Sequence, residues 1–154
     1  MFSFSAFLLL FFSILLSFND LKTHRISNRS LFIFFVLLLL NTLTSQKLVS
    51  SFASGFLFLA FFTLIHLVGR ALPINLSIGF GDVKLLAVVA FGYIDTGIRS
   101  LETFFLSLWC AVLLQICLHY LHKRTFPSSM PMAPSIFLAV GLYLYAPIGL
   151  LLPQ

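Results

Sequence analysis

Six apolar stretches, separated by short polar clusters, organise the chain: approximately residues 2–18, 30–44, 48–69, 83–94, 101–121 and 135–152. A hydrocarbon core about 30 Å thick takes roughly 20 residues of helix, fewer where flanking side chains snorkel or the bilayer thins. Each stretch therefore predicts a membrane helix. The second and fourth are short, and the fourth either begins earlier, within residues 76–80, or is a partly inserted helix packed among its neighbours. The connections carry turn and breaker residues: Asn19 and Asp20, Ser27 and Asn28, Pro73 with Asn75, then Pro127, Pro131 and Pro134. No connection holds a soluble domain. The stretch at residues 2–18 lacks a basic leading segment and a small-residue cleavage pattern before Asn19, so it reads as a retained helix.

Composition turns this pattern into a class. The 154 residues are 60% hydrophobic and only 8% charged, with a mean hydropathy of +1.11; a soluble domain carries about 25% charged residues. Too little polar surface exists to cover such a core in water, so the bilayer covers it. The expectation is an all-α, polytopic membrane protein with about six transmembrane helices, residues 1–154 forming one integral-membrane unit. The net charge of +5 comes from basic residues scattered between apolar runs, which forms no nucleic-acid-binding stripe. Cys110 and Cys117, seven apart in one apolar segment, read as buried free thiols. No Cys or His grouping has zinc spacing, and neither a metal nor a cofactor is expected.

Charge also orients the chain. Of the nine Lys and Arg residues, Lys22, Arg25, Arg29, Arg70, Lys84, Lys123 and Arg124 fall in the first, third and fifth connections, and only Lys47 and Arg99 in the second and fourth. The positive-inside rule then places the odd connections in the cytoplasm and both termini outside. Asp20 and Asp82 come to the same cytoplasmic face.

Those two aspartates are the candidate chemistry. An ionisable group at membrane depth is costly and is by default a functional candidate. Two carboxylates a few Å apart cannot both ionise, so they share a proton; one member then deprotonates water while the other protonates a scissile carbonyl. The remaining carboxylates, Asp95 and Glu102, fall on the outer side. Gly79 and Gly81, flanking Phe80, predict unusual backbone angles and close approach of an extended peptide to Asp82. The competing reading makes Asp20 a solvated residue at a helix end, paired with Lys22 or Arg25, and Asp82 the N-cap of the fourth helix.

Gly79-Phe80-Gly81-Asp82-Val83-Lys84-Leu85 resembles the GxGD motif of the type IV prepilin peptidases, and Asp20-Leu21-Lys22-Thr23-His24-Arg25-Ile26-Ser27-Asn28 resembles that family's first-aspartate motif. Met130-Pro131-Met132-Ala133-Pro134 resembles its proline-containing entry to the last helix. The resemblance implies a six-helix membrane aspartyl protease of the bacterial inner membrane. Such an enzyme removes the basic leader of prepilins or pseudopilins at the cytoplasmic face, and its catalytic pair maps onto Asp20 and Asp82. Gly79, Phe80, Gly81, Lys84 and Lys22 map onto motif support or substrate contact. Ser27 departs from the family, which usually has proline there. The two-activity members also carry a cysteine-rich N-terminal segment and N-methylate the product; this sequence shows no such segment, which favours the peptidase-only branch.

Other polar residues read more plainly. Lys22 and Lys84, each two residues after an aspartate, fit topology anchors as well as partners of a carboxylate or a lipid phosphate. His119 and His122 lack a third ligand and fit interfacial histidines, His66 and Arg70 mark the third stretch nearing the interface, and Trp109, mid-span, fits internal packing. The alternative to an enzyme is a small transporter relaying protons through Asp20 and Asp82, or an assembly subunit of a pilus or secretion machine.

Overall fold

The computed structural model describes residues 4–23, 25–44, 47–71, 79–124 and 130–145. They form six helices and, among the described residues, no strand: α1 (Phe4–Thr23), α2 (Asn28–Thr44), α3 (Leu48–Ala71), α4 (Phe80–Tyr93), α5 (Ile98–Lys123) and α6 (Ala133–Tyr145). In hydrocarbon every backbone N–H and C=O must be satisfied within the chain, and a helix does this segment by segment. The protein is an all-α polytopic membrane protein. Helices α1, α3 and α5 are long and apolar enough to cross a membrane; α2 is shorter, and at about 1.5 Å per residue the 14 residues of α4 reach only about 21 Å. The outer parts of the first and last expected spans, the suspected early start of the fourth within residues 76–78, and Pro73, Asn75 and Pro127 lie outside the described residues.

Helix α4 is the centre of the arrangement. It packs against α3, α2 and α6, while α1 bridges α2 and α6 and α5 backs onto α6. Val83, Leu85, Leu86, Val89, Ala90 and Phe91 are all buried, so a short helix is covered on several sides. Gly55 lets α3 approach closely: a Cβ there would lie 3.1 Å from Phe91 Cβ and 3.4 Å from the Ala87 carbonyl oxygen. Beside it the buried Ser54 hydroxyl donates to the Ala90 carbonyl (3.0 Å), a polar stitch between the two helices that satisfies the hydroxyl.

The outward surface is apolar, as a bilayer requires: Phe32, Phe56 and Leu121 are among many large side chains turned away from the core. Two expectations about α5 are corrected here. Trp109 is 66% exposed rather than packed inside, and Cys110 and Cys117 are free but outward-facing rather than buried. Lipid is as apolar as the protein interior, so burying these groups against protein has no advantage over leaving them against acyl chains.

One hydrogen bond sets the ends of the bundle. The Tyr93 hydroxyl, at the last residue of α4, donates to the Ser5 carbonyl in the first turn of α1 (2.7 Å). Joined there, the end of α4 and the start of α1 lie together, and Asp20 and Asp82 sit toward the opposite ends of the same two helices.

Candidate active site

Asp20 does not end its helix. Helix α1 runs on through Asn19, Asp20 and Lys22 to Thr23, whose hydroxyl donates to the Asn19 carbonyl (2.8 Å) and to the Arg25 carbonyl (3.2 Å), closing the last turn. The extra turn carries Asp20 onto the inner face, where it is only 4% exposed. A buried carboxylate needs a donor. The Ala133 backbone N–H, at the first residue of α6, supplies it by donating to Asp20 Oδ2 at 2.9 Å. The reading of Asp20 as a solvated helix-end residue is thereby corrected.

The entry to α6 is itself held. Gln115, inside α5, donates from Nε2 to the Pro131 carbonyl (2.9 Å), and its Oε1 accepts the Ser135 hydroxyl. One amide thus satisfies a carbonyl before Ala133 and a hydroxyl after it. Neither Gln115 nor the Ala133 amide was identified from the sequence. A glutamine in an otherwise apolar span was the available signal, since a polar side chain there needs a partner.

Asp82 is not the N-cap of α4 either. Gly79 holds that position without a side-chain cap, and the Asp82 and Val83 N–H groups both donate to the Gly79 carbonyl (3.0 and 3.2 Å). Asp82 is the third helical residue, just ahead of the apolar run that begins at Val83, and its side chain is free to face inward. The glycine motif also works differently from expectation. No described glycine has a positive φ, and Gly79 has ordinary extended angles (φ −59°, ψ 135°). What Gly79 provides is room: a Cβ there would stand 2.8 Å from Asp82 Oδ2. At Gly81 the nearest atom to an added Cβ is Ile26 Cβ, at 3.4 Å.

Asp20 and Asp82 wall one cavity of about 330 Å³, with Gly79, Gly81, Arg25 and Lys84 also at its surface and Ile26, Met130 and Met132 as apolar wall. Burial raises the Asp82 carboxyl from its ordinary value to about 6, and the charge of Asp20 adds to the rise. Lys84 lies on the rim, its ammonium 3.3 Å from Asn28 Oδ1 and 5.0 Å from the centre of the Phe80 ring, within cation–π range. Phe80 itself is turned outward beside His66 (ring centres 5.7 Å apart). Lys22 is exposed in the last turn of α1 and does not line the cavity.

The family model for the type IV leader peptidase family matches residues 7–117. The chain belongs to the type IV leader peptidase family. No curated protein and no solved structure shows a significant match. The matched stretch contains both aspartates and Gln115 and ends ahead of the residues around Ala133 that hold Asp20. Membership gives the chain a leader-peptidase type of function, and with the apolar helices it makes the protein an integral membrane peptidase. Among the described residues no three His, Cys, Asp or Glu side chains are grouped to hold a metal ion.

Proposed function

We propose that Asp20 and Asp82 form the catalytic pair of an aspartyl endopeptidase that removes the basic leader of prepilins or pseudopilins at the cytoplasmic face of the bacterial inner membrane. The observation that carries this reading is the shared cavity, in which the Asp82 carboxyl is raised to about 6 partly by the charge of Asp20. Like charges on one cavity wall disfavour ionisation of the more strongly perturbed member, which here is Asp82. Oδ2 of Asp20 already accepts the Ala133 N–H, and Asp82 carries the proton most readily.

The roles follow. Asp20, ionised, takes a proton from a water molecule as its oxygen attacks the scissile carbonyl carbon. Asp82 gives its proton to the carbonyl oxygen, producing a neutral gem-diol. The pair then reverses: Asp82 recovers a proton from a diol hydroxyl as the carbonyl re-forms, and Asp20 passes its proton to the departing nitrogen. Water is consumed, a carboxyl and an amine are released, and the pair returns to its starting state. A site at the edge of the membrane suits a substrate whose basic leader is in water and whose following segment is in lipid, because the junction is reached without extracting the apolar part. The positive-inside count supports a cytoplasmic edge, with both termini outside.

The test is incubation of the purified protein with candidate prepilins, reading leader loss by mass. Wild type should cleave, and Asp20→Asn and Asp82→Asn should each abolish cleavage while remaining membrane-inserted. Sustained cleavage by either variant would remove that residue from the mechanism.

A further inference from the structure

A second hollow, of about 460 Å³, runs along α4 between α2 and α3. Its walls are Phe32 and Phe35 from α2 and Phe52 and Phe56 from α3, and its floor is Ala87 and Val88 of α4. Helices α2 and α3 each pack on α4 but barely touch one another, so the hollow is an apolar groove open sideways to the bilayer. From Lys84 to Phe91 it follows about two turns of α4.

The groove does not end blindly. Asn28 and Lys84, in contact with each other, line both it and the aspartate cavity, and they form a polar threshold between an apolar trough and a pair of carboxylates. We propose that this groove is the dock for the apolar helix of the substrate on the mature side of the scissile bond, with Asn28 and Lys84 receiving the point where that helix unwinds. The inference rests on the peptidase reading above and adds to it the place where the substrate's membrane segment lies.

A polypeptide in hydrocarbon must be helical to satisfy its backbone, whereas a peptide bond undergoing hydrolysis must be exposed to water and to both carboxylates. Somewhere between lipid and dyad the substrate has to leave the helical state, and the freed backbone groups then need partners. The Asn28 amide can both donate and accept, and the Lys84 ammonium donates. Both stand where the apolar groove gives way to the cavity, and beyond them Arg25 lines the cavity around the aspartates. A lipid could fill the trough with its acyl chain and set its phosphate on Lys84, but it would give no role to the continuation of the groove into the two carboxylates.

The test compares two substrates with the full chain in lipid nanodiscs: a basic leader followed by an apolar helix of about 20 residues, and a short soluble peptide covering the leader junction alone. Ala87→Leu, which fills the floor, and Phe32→Gln, which makes one wall polar, should each raise KM for the helix-bearing substrate roughly tenfold and leave kcat/KM for the short peptide unchanged. Unchanged cleavage of the short peptide also shows that a variant is folded; should Ala87→Leu lose it, Phe32→Gln decides alone. Equal effects of Phe32→Gln on both substrates, or no effect of it on either, would overturn the groove assignment. A photo-crosslinker at Phe56 should capture the helix-bearing substrate, and adducts with lipid alone while that substrate is being turned over would also overturn it. If wild type cleaves neither substrate, the peptidase reading itself has failed, a result distinct from all of these.

Discussion

The backbone N–H of Ala133 donates to Asp20 Oδ2 across 2.9 Å, joining two residues more than a hundred positions apart in the chain. Helix α6 opens on the carboxylate of α1, so the amide at a helix start, where backbone donors lack intrahelical partners, meets a buried acceptor.

Removing that donor should disable Asp20 while leaving the helices in place. Ala133→Pro does so at the first helical residue, where proline is well tolerated. A hydrogen bond to a charged group contributes roughly 1.5–3 kcal/mol, so kcat for leader cleavage should fall by about ten- to a hundredfold. Membrane insertion and helix content, followed by circular dichroism, should be retained.

Gln115 should matter for the same carboxylate at one remove. Gln115→Leu keeps the bulk of the side chain but frees the Pro131 carbonyl and the Ser135 hydroxyl, loosening the segment that presents the Ala133 amide. A roughly tenfold fall in kcat with KM unchanged is expected. A rise in KM with kcat intact would show that the bonds serve substrate binding instead.

Gly79→Ala should damage activity more than stability. The new Cβ would lie 2.8 Å from Asp82 Oδ2, and because that atom ends a side chain, the carboxylate can swing away without disturbing the fold. A misplaced acid should lower kcat by about tenfold or more. Gly97→Ala, with nothing within 4 Å of the added carbon, is the control and should behave as wild type in the same cleavage assay.

The pH profile should carry the signature of Asp82. A carboxyl raised to about 6 keeps its proton further into the neutral range than an ordinary aspartate, so its acid role is intact below about pH 6 and is lost as pH rises through that value. The profile of kcat/KM, which reports the free enzyme, should therefore fall above about 6, approaching about tenfold per further pH unit. In Asp20→Asn, which is expected to be inactive, the Asp82 carboxyl should titrate lower than in wild type. It should still lie above the ordinary value of 3.8, because burial is the larger cause of the rise. The infrared carbonyl band of the protonated acid can follow this titration.

Much of this was legible in the chain. Long apolar runs in lipid leave the backbone no alternative to helix, so six stretches became six helices with modest changes at their ends. The Gly79-Phe80-Gly81-Asp82 run and Asp20 stood out as candidates in the sequence, and in the structure both aspartates line one cavity. The boundary of α1 was misplaced because Asn19 and Asp20 look like helix stops, while tertiary contact with α6 makes continued helix through Asp20 the satisfied state.

Which apolar side chain faces protein and which faces lipid was not legible at all. Phe32 is 67% exposed and Phe34 fully buried, two residues apart and identical in chemistry. In water, amphipathic periodicity separates these classes, because only the buried face needs to be apolar. A bilayer removes that distinction and with it the signal. The sequence by itself determined the helices, the membrane and the two carboxylates. Tertiary structure alone decided that an α6 amide and an α5 glutamine hold one of them, because those bonds depend on where helices distant in the chain come to rest, and no local pattern encodes that.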